Sequence, residues 1–207
     1  MSSAPKLLVF LHVAVKQRAF QGELQAALSG IDVTAVGRIA DFDRALQDGP
    51  DSVLTLPVVL AARGLEPKLR GRHLGALDES YVLVGADTIP DAARVQTVGA
   101  LDLLGREGTN AFVEQLLGAH PKVERVTKVE DLLPLLQMQR VDAILLAARL
   151  FPDLRASSRL SLMQKELARK VELPALANLG SGGAQIMAAV TRLPSRLSSA
   201  VGVDEWR

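Results

Sequence analysis

The 207-residue chain contains no cysteine. This excludes disulfide cross-links, thiolate nucleophiles and sulfur-ligated zinc, and it suits a reducing or an oxidising compartment equally. Aromatic residues are scarce at 3%, with a single Tyr81 and a single Trp206. Too few flat rings are present to build the stacking platforms that hold single-stranded nucleic acid. Neither sign of charge dominates: 24 basic residues are interspersed with 23 acidic ones, for a net charge of +1. No broad basic field marks a nucleic-acid partner. The local group Lys68, Arg70, Arg72 and His73 reads as an exposed turn, with a polyanion contact as its functional alternative. The three histidines, His12, His73 and His120, have no metal-ligand spacing. Neither GxSxG, HExxH nor GxGxxG occurs, and no nucleophile–base–acid set can be assembled. The expectation is a non-catalytic protein without metal or cofactor.

Long apolar runs are also missing. The first, LLVFLHVAV at 7–15, is too short to span a bilayer. KQRAF follows it where a signal peptide would have a small-residue cleavage site. It reads as a buried first strand, so direct membrane insertion is not expected, and any export signal has been removed or never existed. His12 within this run reads as a core histidine.

What is present is an aliphatic, foldable chain, 48% hydrophobic with mean hydropathy +0.20. A strand is predicted over 7–14. A helix follows over 17–29, where Phe20, Leu24, Ala27 and Leu28 share a face and Gly30 ends it. IDVTAV (31–36) alternates like a strand, and Ile39, Phe42 and Leu46 stripe a helix over 40–48. SVLTLPVVL (52–60) is a strand broken by Pro57. The same order then returns: a strand over 95–103, a helix over 109–117, VERVT (123–127), a helix opened by the capping-box spacing of Thr127 and Glu130, and the apolar strand VDAILLA at 141–147. Pro134 should shorten that last helix. Two β-α-β-α-β patterns imply parallel sheets covered by helices on both faces; one sheet of six strands is possible, and the long 61–94 segment between the copies favours two lobes. Strand-like ESYVLVG (79–85) lies between the copies. RLSLM, ELPALANL and a helix near 183–193 follow them. We therefore expect an α/β chain of two lobes with a cleft between: residues 1–90 plus 160–207 in lobe 1, 91–159 in lobe 2, and hinge crossovers near 85–95 and 150–160.

GREGTN (105–110) stands where the second copy turns from strand to helix. Gly108 permits close backbone approach, Thr109 adds a hydroxyl, Arg106 adds a fork of donors, and Asn110 lies in the same turn. With the positive end of the helix dipole these suit phosphate, phosphonate, sulfonate or carboxylate. An ordinary helix cap with a surface arginine is the alternative. Lys16, Gln17 and Arg18 open the first helix, and basic residues there oppose the dipole unless an anion is present. Thr55, beside Pro57, ends the third strand. Tyr81, beside Glu79, offers a hydroxyl at a crossover. LGSGGAQ (179–185) lacks the lysine of a phosphate-binding loop and reads as a flexible turn.

With TVGALDLLGREGTNAFVEQLLG (97–118) and VTKVEDLLPLLQMQRVDAILL (126–146) as its most specific segments, the chain resembles type II periplasmic substrate-binding proteins. It is most similar to the phosphate/phosphonate-type binding components of ABC transporters. The resemblance covers nearly the whole chain. It implies a non-catalytic protein that captures a small anionic solute in the cleft and passes it to a membrane component of an ABC transporter. It also implies a periplasmic or exported location, the cytoplasm being the other compartment compatible with the chain. The implied ligand residues are Arg106, Gly108, Thr109, Asn110, Lys16, Gln17, Thr55 and Tyr81. The alternative is a domain of the same fold repurposed as a sensor or protein-interaction scaffold.

Overall fold

The strands of the computed structural model, which describes residues 4–14 and 16–207, pair in two separate sheets whose central strands are short apolar runs. The chain divides into two compact units, residues 1–78 with 172–207 and residues 79–171.

The first unit opens with β1 (Lys6–Phe10), α1 (Gln17–Ala27), β2 (Asp32–Ala35), α2 (Ile39–Gln47) and β3 (Ser52–Thr55). β1 runs parallel to both β2 and β3, as apolar strands separated by amphipathic helices require. Phe20 and Leu24 of α1 and Ile39 and Phe42 of α2 are buried against this sheet, with Leu28 just beyond α1. Ala27, expected on the same face, is exposed. Strand β3 stops at Thr55, not at residue 60. Pro57 is the first residue of a short helix, α3 (Pro57–Ala61), a position where its missing N–H costs nothing. Residues 68–73, read as a turn, instead contain β4 (Leu69–Arg72). After the excursion through the second unit the chain adds β10 (Ala175–Asn178), α7 (Gly183–Val190), α8 (Ser195–Ala200) and β11 (Glu205–Trp206). β10 inserts antiparallel between β3 and β4, giving the order β11-β4-β10-β3-β1-β2.

The second unit contains β5 (Asp78–Ala86), β6 (Thr97–Leu101), α4 (Gly105–Leu117), β7 (Lys122–Val126), α5 (Leu132–Gln137), β8 (Ala143–Ala147), α6 (Phe151–Ser157) and β9 (Leu162–Glu172), the first and last of which reach across the divisions. Its sheet order is β7-β6-β8-β5-β9, with β6 parallel to β7 and β8, and β5 antiparallel to β8. Both units thus repeat one core: the second strand, the first, then the third, parallel, with an antiparallel strand outside the third. The Thr127–Glu130 capping box does not form. Residues 129–131 make a single 3-10 turn whose N-cap position, Lys128, carries no side-chain cap, and α5 follows directly. Pro134 sits early in a helix of only six residues.

The cores are aliphatic, as the composition requires, and each of the five phenylalanines is buried: Phe10, Phe20 and Phe42 in the first unit, Phe112 and Phe151 in the second. Phe42 tilts against Phe10 with ring centroids 5.3 Å apart. The Arg63 guanidinium lies over the Phe42 ring, 5.7 Å from its centroid, and binds Asp43 through two nitrogens.

Candidate functional site

In open α/β sheets, ligand groups gather beyond the carboxyl ends of the strands, where helices begin with unpaired N–H groups. The second unit places GREGTN there, but inside helix α4 and not in a turn ahead of it. Gly105 begins the helix at φ +76°, a left-handed conformation that only glycine adopts without strain. Thr109 is fully buried. Its hydroxyl donates to Asp102 Oδ1 at 2.9 Å and accepts the Leu104 N–H at 3.0 Å, so it closes the β6–α4 connection from within. The other oxygen of Asp102 lies 3.6 Å from Arg125. Gly108 serves the same connection. A Cβ on it would stand 2.6 Å from Leu104 Cβ, so the missing side chain admits Leu104. Arg106 and Glu107 are exposed on the first turn. Asn110 is half-buried, and its Oδ1 is shielded without a hydrogen-bond partner among the described residues.

Tyr81 is buried, its ring edge-on to Phe112 at 5.8 Å. Burial, reinforced by the Glu79 charge and opposed by Arg149, pushes its phenol above the ordinary value of 10.0. Glu79 and Arg149 meet at 3.1 Å where β8 ends.

In the first unit three helices start at the ends of β1, β2 and β3, and none has a side-chain cap among the described residues. Lys16 occupies the N-cap position of α1, whose first turn contains no acid. Gln17 reaches sideways, donating from Nε2 to Val36 O at 3.2 Å. That bond ties the start of α1 to the connection leading into α2. The N-cap position of α2 is Arg38, which pairs with Asp41 at 3.3 Å while staying largely exposed. Lys16 and Arg18 thus stand at the uncapped start of α1, and Arg38 at that of α2, whose first turn already carries Asp41. Gly37-Arg38 was absent from the sequence reading, although a basic residue directly ahead of the stripe begun by Ile39 repeats the signal at Lys16. Thr55 does not join this group. It is fully buried and donates to Phe10 O at 2.7 Å, across the β1–β3 register.

The remaining sequence features find structural roles. Basic residues of the 68–73 group have acidic neighbours: Lys68 with Glu66, Arg70 with Glu172 and His73 with Asp204. His12 is buried edge-on to Phe10 at 5.3 Å. The LGSGG stretch, read as a turn, wraps Asp51. The Leu179 and Gly180 amides donate to Asp51 O, and the Gly182 amide donates to its carboxylate. A Cβ on Gly180 or Gly182 would strike Asp51. Among the described residues no group of acids and histidines could hold a metal ion, and no helix is long and apolar enough to cross a membrane.

No family model matches the chain, and no curated protein matches it. Solved structures do. The VFT2 domain of Bordetella pertussis BvgS aligns with a TM-score of 0.62 at 15% identity, over 95% of this chain and 91% of that one. The GluR0 ligand-binding core from Nostoc punctiforme, in complex with L-glutamate, aligns with a TM-score of 0.62 at 11% identity, over 95% and 96%. A periplasmic binding protein of an arginine transport system from Legionella pneumophila aligns with a TM-score of 0.57 at 13% identity, over 90% and 91%. With its two sheets flanked by helices, the chain has the mixed α/β, two-lobed fold of type II periplasmic binding proteins.

Proposed function

We propose that the protein is a non-catalytic solute-binding protein whose ligand is a small anion carrying phosphate, phosphonate or a similar oxyanion. It acts outside the cytoplasm and delivers the solute to the membrane component of an ABC transporter. The observation that carries the anion reading is the pairing of the α1 and α2 starts by the Gln17–Val36 bond, with Lys16, Arg18 and Arg38 around them. Uncapped N–H groups and cations at helix N-termini are an unfavourable combination that a bound anion reverses. Gln17 holds the two starts in place, and Lys16 supplies charge. In the second unit, Arg106 is the donor of GREGTN left for an oxyanion, because Thr109 and Gly108 serve the helix itself and the shielded Asn110 Oδ1 can only accept.

Thermal melts with phosphate, methylphosphonate, sulfate, L-glutamate and L-arginine test this reading. A true ligand at a hundredfold excess over its Kd adds about 2.7 kcal/mol. Stabilisation by an oxyanion is expected. Stabilisation by arginine alone would replace the anion with an amino acid, the kind of ligand named for the Nostoc and Legionella neighbours. A second reading, a sensor or interaction scaffold, is favoured by the internal engagement of the Thr55 and Thr109 hydroxyls. It stands if none of the five solutes moves the melt.

A further inference from the structure

β9 is the longest strand of the chain and has one strand neighbour, β5, among the described residues. Of its eleven residues only Leu162, Leu167 and Val171 are buried. The outer edge of this ribbon therefore offers a row of backbone donors and acceptors to solvent. Along one face run Gln164, Glu166, Ala168, Lys170 and Glu172, all exposed.

We propose that β9 pairs antiparallel with β9 of a second copy, joining two five-stranded sheets across a two-fold axis through Ala168. A continuous sheet related by such an axis must place it on a residue, since opposed residues share a face. Three central registers are then available. Centred on Leu167, Lys165 opposes Arg169. Centred on Ala168, Glu166 opposes Lys170 twice and no like charges meet. Centred on Arg169, Glu166 opposes Glu172. Cross-strand pairs of opposite charge favour a register and like charges disfavour it. Only the Ala168 register brings opposite charges together. Ala168 at the axis also keeps the strands close. The charges that protect this edge against indiscriminate strand addition thus admit one partner, a second copy in one register.

Sedimentation equilibrium over a wide concentration range tests this on the full chain. The wild type should sediment as a reversible dimer. Lys170→Glu, which sets Glu against Glu, should weaken association at least tenfold. Ala168→Pro, which removes a ladder donor at the axis, should abolish it. The charge-swapped pair Glu166→Lys with Lys170→Glu should restore dimerisation. A monomeric wild type at every concentration overturns the proposal. So does a dimer indifferent to Lys170→Glu, because it must form elsewhere.

Discussion

Thr109 donates its hydroxyl to Asp102 across 2.9 Å, and the same oxygen accepts the Leu104 N–H. A side chain that reads as a ligand group is therefore a structural bolt between β6 and α4. Thr109→Val keeps its shape and removes both bonds, leaving the Leu104 amide and an Asp102 oxygen short of partners. The expected loss is about 1–3 kcal/mol in urea denaturation. Arg106→Ala, on the exposed first turn, should stay within about 0.5 kcal/mol of wild type.

Gly71 of β4 lies opposite Trp206 of β11. A Cβ there would meet Val203 Cγ2 at 2.4 Å and the Pro174 carbonyl oxygen at 2.8 Å. Val203 can turn away, but backbone oxygen cannot. Gly71→Ala should destabilise the first unit by about 1–3 kcal/mol, read as an earlier loss of buried Trp206 fluorescence.

Asp51 is held below its ordinary 3.8 chiefly by the Lys6 amide and then by the Gly182 amide. A depressed folded value stabilises the protein at pH above the ordinary value, and the gain is lost as pH falls through the folded one. Acid titration should unfold the first unit of the wild type more steeply than that of Asp51→Asn, which has no carboxylate to protonate. Parallel acid curves by Trp206 emission would contradict this.

The opposite sign applies to Tyr81, whose phenol is raised above 10.0 by burial. The neutral form is the stabilised one, so its contribution is complete below 10.0 and drains away as pH climbs past it. The chain has one tyrosine, so phenolate absorbance reports it alone. Ionisation should coincide with alkaline unfolding of the second unit, not precede it reversibly. Tyr81→Phe, which retains the Phe112 contact, should remove that alkaline dependence.

Lys16→Asp separates stability from binding. An aspartate at the N-cap position supplies the missing acceptor and favours the dipole, raising stability by about 0.5–1 kcal/mol. The same change places negative charge where the oxyanion is proposed to sit, so the phosphate-induced shift in Tm should disappear. A destabilised variant with an intact phosphate response would remove Lys16 from the site.

The repeated parallel core was legible because its signals are local. Val9, Val53, Val98 and Ile144 lie in apolar runs, and stripes such as Ile39–Phe42–Leu46 mark the helices between them. What was hidden depends on distant partners. LRGR gives no apolar run, and β4 exists because β10, about a hundred residues later, lies alongside it. Pro57 looked like a strand breaker, yet a residue that cannot donate suits the first position of a helix. The LGSGG stretch resembles a loose linker until Asp51, remote in sequence, fills it. Thr55 looks free until its register sets it against the Phe10 carbonyl. Thr109 reads as a ligand group even though its partner is local, Asp102 lying only seven residues earlier across the strand–helix turn.

The sheet order of the first unit has a consequence for synthesis. Residues 79–171 are contiguous, so they can complete their sheet while still attached to the ribosome. β4 is made early, but its sheet neighbours β10 and β11 are made only after that whole segment. Until residues 175–206 emerge, the nascent β4 has no ladder, and β3 has only β1. The unit begun first is the one finished last, and for most of translation it carries unpaired strand edges of the kind that make folding intermediates prone to aggregate.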